Sequence, residues 1–427
     1  MGLPVNVMGV RDKKVRQSGA GKVQVPRSDS RVDMPAPLER LLILDFTRLL
    51  PGPFATQLLC NLGADVIKIE DTDLGDYMRT VPPTVQGMSY PFLMVNRGKK
   101  SLSVDLKTRE GRAIVYKLIP KADIVMEQFR PGVMKKLGMD YATLSRKNRR
   151  LIYCAFSGYG QTGPSRDVPA HDINFEAHAG ILGVTGGSDG RPVIPGVPMA
   201  DLASGFNAAM AVLAALRTRD RTGKGEFIDI SIFDTAVSMM VLNLARYLAT
   251  GEEPVAGEAL LTGRFPFYGL YETADGGWLA VATVEPKFWI TMCELLDVPE
   301  LLEAQFPSGH EKAQVAKSLQ ARFRRKTTAE WERMFAEANL PITTVRNVAD
   351  VVRDPHVKAR GLLPVVEVPG LWKMQVVAHP AKHSVTTTRT PARVPDKGQD
   401  TEEILRSLGY TAKQVEALAK KGVIAFG

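Results

Sequence analysis

The sequence predicts an α/β protein. A doubly wound, mostly parallel and Rossmann-like sheet forms a large domain, a smaller α+β domain follows, and the chain then returns to the first domain. Three observations carry this reading. Short apolar runs of strand length alternate with helical patterns over the first half of the chain. Near residue 260 this gives way to two strands joined by a tight turn, and a Pro-, Thr- and Arg-rich stretch at 380–398 then leads to a last amphipathic segment. Parallel strands need crossover connections, and helices in those crossovers cover both faces of the sheet.

LERLLILDFT reads as the first buried strand, closed by a turn at Pro51-Gly52-Pro53. Ala55, Leu58, Leu59 and Leu62 then recur at helical spacing up to Gly63, and DVIKIE is the second strand. KSLSVDLK, DIVMEQF and LIYCAFSGYG continue the strands, with helices in REGRAIVYKLI and DYATLSRKN between them. An Ala- and Gly-rich helix runs from Asp201 to Leu216, EFIDISIFD is a further strand, and one long apolar helix extends through Tyr247. In RFPFYGLYETADGGWLAVATV two strands meet at Asp275-Gly276-Gly277, the mark of an antiparallel hairpin. The predicted division is a flexible basic leader over 1–37, a large domain over 38–240, a linker over 241–260 and a small domain over 261–361. A return linker over 362–398 and a segment over 399–427 that packs on the large domain complete it.

At 44% hydrophobic and 24% charged residues, the composition excludes a disordered or fibrous chain. Every apolar run is interrupted before the length of a bilayer span, so neither a membrane span nor a membrane partner is expected. Cys60, Cys154 and Cys293 stand apart from one another, which fits neither a disulfide framework nor zinc and predicts a reducing, cytoplasmic setting. The net charge is +9, and residues 1–31 carry Arg11, Lys13, Lys14, Arg16, Lys22, Arg27 and Arg31 against only Asp12 and Asp29. Over half of the surplus therefore lies in a leader that lacks the apolar core of a secretion signal and has Asn6 where a myristoylation signal needs Ser or Thr. The remaining surplus suits a phosphorylated small molecule, and no nucleic-acid partner is expected.

Gly158-Tyr-Gly-Gln-Thr-Gly163 spells a dinucleotide fingerprint, but it follows the fifth strand and runs into Pro164 and polar residues, not into a helix. His379 and His383 have the spacing of a helical zinc pair, yet Pro380 between them breaks such a helix, and no metal site is predicted. What remains is His171-Asp172-Ile173-Asn174-Phe175, at a predicted helix start beyond the carboxyl end of a strand, where such sheets bind ligands. Thirty residues later Asp201 opens the Ala-rich helix, whose free amides and dipole favour negative charge. From the residues alone, Asp201 reads sooner as a helix cap, and His171 as a satisfied loop histidine, than as a catalytic pair.

From Leu38 to Gly427 the chain resembles the class III CoA-transferase (CaiB/BaiF) and 2-methylacyl-CoA racemase superfamily. The resemblance is carried by DFTRLLPGPFATQLLCNLGADVIKIE, NRGKKSLSVDLKTREG, ADIVMEQFRPGVMKKLG, RTRDRTGKGEFIDISIFD, DPHVKARGLL and the late KKGVI. It implies acyl-CoA substrates, no cofactor beyond their CoA moiety, and an interlocked homodimer. In the racemase branch, His171 and Asp201 flank the α-carbon of a 2-methylacyl-CoA, one removing a proton and the other returning one. Glu285, in VEPKFW, orients the histidine, and helix N-terminal amides stabilise the enolate between the two.

In the transferase branch, Asp201 alone is the nucleophile and His171 is not required. LGDYMRTVPPT and TGGSDGRPVIPGVPMADLASG resemble transferases, whereas His171 and Glu285 have a purpose only in racemases. The sequence therefore puts racemisation first, with CoA transfer as the alternative. By resemblance the CoA nucleotide meets Val104, Asp105, Leu106 and Lys107, and the pantetheine and thioester meet Ala170, Asp172, Ile173, Asn174 and Phe175. Asp71 departs from the Arg that racemases place near the phosphates, and Val197 departs from a racemase Asn. The Met- and Leu-rich MMVLNLARYLA is expected to line part of the acyl pocket.

Overall fold

The computed structural model describes residues 36–187, 189–259, 261–368 and 373–427, so the predicted leader lies almost wholly outside the described residues. The central sheet is built from β1 (Leu42–Phe46), β2 (Asp65–Glu70), β3 (Lys100–Val104), β4 (Ile124–Glu127), β5 (Ile152–Ser157) and β6 (Phe227–Ser231). These pair in parallel in the order β3-β2-β1-β4-β5-β6. Strand order reverses between β1 and β4, so successive crossovers leave in opposite directions and a crevice opens at the carboxyl ends of these two strands. β4 and β5 are buried along their whole length, as strands covered on both faces must be.

The crossovers and the region after the sheet contain α1 (Pro51–Asn61), α2 (Tyr90–Asn96), α3 (Arg109–Leu118), α4 (Asp172–His178), α5 (Met199–Thr222), α6 (Ile232–Met239) and α7 (Val241–Thr250). The hairpin of β7 (Tyr268–Glu272) and β8 (Trp278–Ala282) follows, and β9 (Ile342–Thr344) adds antiparallel to β8. With α8 (Pro286–Leu296), α9 (His310–Phe323) and α10 (Thr328–Glu337) it encloses a separate core around Phe267, Trp289, Phe323 and Trp331. The chain then runs back along the large domain: the Arg389 amide donates to the Asn61 carbonyl at 2.6 Å, and the Gly98 amide donates to the Arg393 carbonyl at 2.6 Å. α11 (Thr401–Ser407) and α12 (Ala412–Lys420) follow, and β10 (Ile424–Ala425) closes the sheet antiparallel to β3.

Three expectations are corrected. Pro51-Gly52-Pro53 is not a turn but the first turn of α1. Proline suits that position because its φ is already helical and its missing N–H would have had no partner. Gly52 is required there, since a Cβ would stand 2.3 Å from the Thr47 side chain. The long apolar helix breaks at Met240 into α6 and α7, bent by 66°. DYATLSRKN contributes only the single turn Tyr141–Leu144.

α5 is long and apolar enough, at a mean hydropathy of 1.5, to cross a membrane by length and composition. Its small residues are instead buried, with Gly205 so close to α1 that a Cβ would lie 2.9 Å from the Pro51 carbonyl oxygen.

A fully buried ion cluster joins these elements. The Lys99 ammonium donates to Asp45 Oδ2 (3.0 Å), the Pro53 carbonyl (3.1 Å), Thr56 Oγ1 (2.7 Å) and Asn96 Oδ1 (2.8 Å). Beside it Lys68 donates to the Thr47 carbonyl (2.9 Å) and pairs with Asp76 (2.7 Å). Burial alone would raise the Asp45 pKa, but the two ammonium groups and the Thr47 and Thr56 hydroxyls hold it far below the usual carboxylate range. Removing one partner of such a pair strands a buried charge. Lys99→Met is expected to cost about 3–5 kcal/mol in urea unfolding, with much of the loss recovered in Lys99→Met/Asp45→Leu. A loss below about 1 kcal/mol would show that the cluster does not anchor the fold.

Candidate active site

The crevice at the strand-order reversal is walled by the loops after β1, β4 and β5 and by the N-termini of α4 and α5. It holds a cavity of about 360 Å³ with both His171 and Asp201 in its wall. A second cavity of about 460 Å³ lies over the ends of β2 and β3 and is lined by Val104, Asp105, Leu106 and Lys107. Phe129 belongs to both walls, so the two spaces adjoin along the carboxyl edge of the sheet. Its position is set by buried Glu127 at the end of β4, whose carboxyl accepts the Phe129 amide at 2.7 Å.

Asp201 is the third residue of α5, one position inside the first turn, and Pro198 occupies the cap. α4 fastens this turn. The Met199 amide donates to Glu176 Oε1 (3.1 Å) and the Asp201 amide to Asp172 Oδ1 (3.0 Å). The first amides of a helix need acceptors from outside it, and here two are taken by carboxylates of the chain itself. The expectation that these amides are free for an enolate is corrected accordingly. The half-buried Asp201 carboxyl is pushed up to about 7, first by burial and then by the charges of Asp172 and Glu176.

His171 is the N-cap of α4 and is exposed, its amide donating to Asn174 Oδ1 at 3.0 Å. Ala170, Asn174 and Phe175 share its cavity, whereas Asp172 turns toward α5 and the exposed Ile173 stands outside the wall. Phe175 is packed so tightly on Gly158 that a Cβ there would meet its ring at 2.8 Å. Glu285 is not brought to this cavity: it caps α8 in the second domain and is exposed. Asp105 and Lys107 form a local turn, the Lys107 amide donating to Asp105 Oδ1 at 2.8 Å.

α7 also stands away from the cavity, with Val241, Leu242 and Leu248 between 63% and 80% exposed. The apolar wall comes instead from Leu49, Pro51, Phe129, Phe175 and Ile232. Glycines 160 and 163 take positive φ in the loop that delivers His171, so the fingerprint-like string shapes a loop and opens no helix. Among the described residues no group of three or more His, Cys, Asp or Glu side chains is arranged to hold a metal ion.

Sequence reasoning missed Arg48. It pairs with Asp71 at 2.9 Å and lies over the rings of Tyr77 (5.3 Å) and Phe129 (5.7 Å), placing a cation beside the nucleotide-end cavity. Ser157 and Arg166, both in the wall of the smaller cavity, were missed as well. Arg48 sits inside a quoted landmark string, but no spacing marked it, because its partners come from β2 and β4.

The sequence model described as "CoA-transferase family III" matches residues 38–401. The chain is 35% identical to a mouse succinyl-CoA:glutarate CoA-transferase over 93% of its own length and 92% of that protein's. It is 32% identical to a human alpha-methylacyl-CoA racemase, over 91% of its length and 97% of the racemase's. A crystal structure of a CAIB/BAIF family protein from Brucella suis superposes with a TM-score of 0.77 at 31% identity, covering 88% of this chain and all of that one.

The charge around Asp201 gives a direct test. Asp172→Asn keeps an oxygen for the Asp201 amide but removes a negative neighbour, so the carbon-13 titration midpoint of the Asp201 carboxyl is expected to fall from about 7. An unchanged midpoint would mean that Asp172 does not set it, leaving burial and Glu176.

Proposed function

Because the chain belongs to CoA-transferase family III, we propose that it moves CoA from an acyl-CoA to a free carboxylic acid with Asp201 as the nucleophile. The observation that carries this reading is the setting of Asp201. Its carboxyl lies in the wall of the cavity, at the first turn of α5, with its pKa raised toward neutrality by burial and by Asp172 and Glu176. This reverses the order in which the sequence ranked the two branches.

An Asp201 carboxylate oxygen adds to the thioester carbonyl, the C–S bond breaks, and CoA leaves as the thiolate, giving a mixed anhydride. The thiolate then attacks the Asp201 carbonyl of that anhydride and expels the donor acid as its carboxylate, leaving an aspartyl-CoA thioester. The acceptor carboxylate repeats the sequence in reverse and restores Asp201. A carboxylate with a raised pKa is a better nucleophile than an ordinary one, provided that it is ionised. The glutarate in the name of the mouse relative supports acceptors of the dicarboxylic class.

A second copy of the chain completes this reading. Phe206, Met210, Val241, Leu242 and Leu248 leave an apolar face on α5 and α7 at 50% exposure or more, which supports a homodimer. Glu285, remote from the cavity of its own chain, has no part in the transfer step. Racemisation stays as a second reading for one reason, that His171 and Asp201 share a cavity.

Asp201→Ala is expected to lower CoA transfer by at least about 10⁴-fold, and to abolish hydroxylamine trapping of an acyl adduct on Asp201 during turnover. His171→Ala is expected to keep transfer within about tenfold of wild type, with no wash-in of solvent deuterium at the α-carbon of a 2-methylacyl-CoA in either form. Deuterium exchange that vanishes in His171→Ala would establish the racemase instead. The reactive form of Asp201 is the anion, so kcat/KM for the acyl-CoA is expected to fall as pH drops through about 7. A rate independent of pH between 6 and 8 would argue against Asp201 as the nucleophile.

A further inference from the structure

The wall of the catalytic cavity contains two polar groups that the transfer chemistry leaves unused. Ser157 ends β5 at 6% exposure, and its hydroxyl is buried without a hydrogen-bond partner among the described residues. Arg166 stands on the loop that leads to His171, and its Nε is likewise buried without a partner. The Arg166 side chain is itself 39% exposed, and its paired carboxylate, that of Asp167, lies 3.9 Å from Nη1, beyond hydrogen-bond reach, and is 76% exposed. Buried donors left without acceptors are costly, and each calls for an acceptor, a bound water or a ligand, to complete it. Both groups share the wall of one 360 Å³ space with Asp201.

We infer that Arg166, assisted by Ser157, binds the second carboxylate of a dicarboxylic acid, so that the enzyme selects diacids over monoacids of equal length. This rests on the transfer reading and adds the residues that select its substrate class. A guanidinium presents paired N–H donors that match a carboxylate, and a hydroxyl supplies one more. One carboxylate of the acid must reach Asp201, so the other falls on the cavity wall. CoA phosphates are also guanidinium ligands, but the thioester has to sit at Asp201. The nucleotide end then extends toward the 460 Å³ cavity, where Arg48 and Lys107 stand. The same contact serves donor and acceptor, because both acyl groups occupy this space in turn.

The test compares wild type with Arg166→Gln and Arg166→Lys, using glutarate and pentanoate as acceptors and succinyl-CoA as donor. Wild type is expected to favour glutarate. Arg166→Gln is expected to lose roughly 10- to 100-fold in kcat/KM for glutarate and little for pentanoate, with partial recovery in Arg166→Lys. Inhibition by free CoA is expected to stay unchanged. A weakened CoA inhibition with the diacid preference intact would place Arg166 on a CoA phosphate and overturn the inference, as would a preference that survives in Arg166→Gln.

Calorimetric titration of glutarate into the CoA-bound protein gives a readout that needs no turnover. Binding that depends on Arg166 in a protein that transfers no CoA would retain this inference and reject the transfer reading. Active transfer with binding that is indifferent to Arg166 would do the opposite.

Discussion

Everything at the carboxyl edge of the sheet depends on one buried ammonium group. Lys99 lies just before β3, and its four oxygen partners come from β1, the first two turns of α1, and α2. A charge in that position cannot slide, because each lost oxygen would leave a fully buried ammonium short of a partner. The end of β1 and the start of α1 are therefore fixed relative to β3. Lys68 repeats the device one strand away, gripping the Thr47 carbonyl while Asp76 accepts the Leu49 amide at 2.9 Å. The connection 47–50 between β1 and α1 is held from both sides, and its outward side chains, Arg48 and Leu49, become walls of the two cavities.

The second half of the site is organised by negative charge. Helix N-termini attract carboxylates, and α4 provides two, on Asp172 and Glu176, that bind the opening amides of α5. Those bonds set the register of α5 on the sheet, but they also crowd anions around Asp201. Glu176 is itself pushed upward, by burial first and then by Asp172, so the cluster resists holding a full charge at every carboxyl. The geometry that positions Asp201 is thus also what weakens its acidity. Precision and reactivity share the same three side chains.

The strands were legible because parallel strands covered on both faces need apolar runs, which β4 and β5 supply almost unbroken, while β1 and β2 interrupt theirs only with the buried Asp45 and Lys68. The beginning of α1 was not, since Pro-Gly is a turn signal in isolation and a helix start only when a lysine fixes the carbonyl of Pro53. The break at Met240 carries neither proline nor glycine, so nothing local announces it. At the site, the 30-residue interval between His171 and Asp201 was readable, because both lie at helix starts facing one crevice. Arg48, Ser157 and Arg166 were not, since each draws its meaning from groups on other strands or loops. Glu285 shows the converse: a residue suggested by a motif, which the fold of a single chain leaves on a different domain.

The return of the chain bears on the order in which the protein is made. β10 pairs with β3, and the Arg393 carbonyl accepts the Gly98 amide, so the first domain is finished by residues synthesised after the entire second one. Some 320 residues separate the two partners of that edge, from Val104 to Ile424. At ordinary ribosomal speeds this is a delay on the order of 15–60 s. Throughout it β3 is an open strand edge in a nascent chain, available to other unpaired strands. The hairpin domain between them, with its own aromatic core, can complete itself first. Translation through 261–361 is therefore an interval in which a chaperone covering the β3 edge would protect the nascent chain from aggregation.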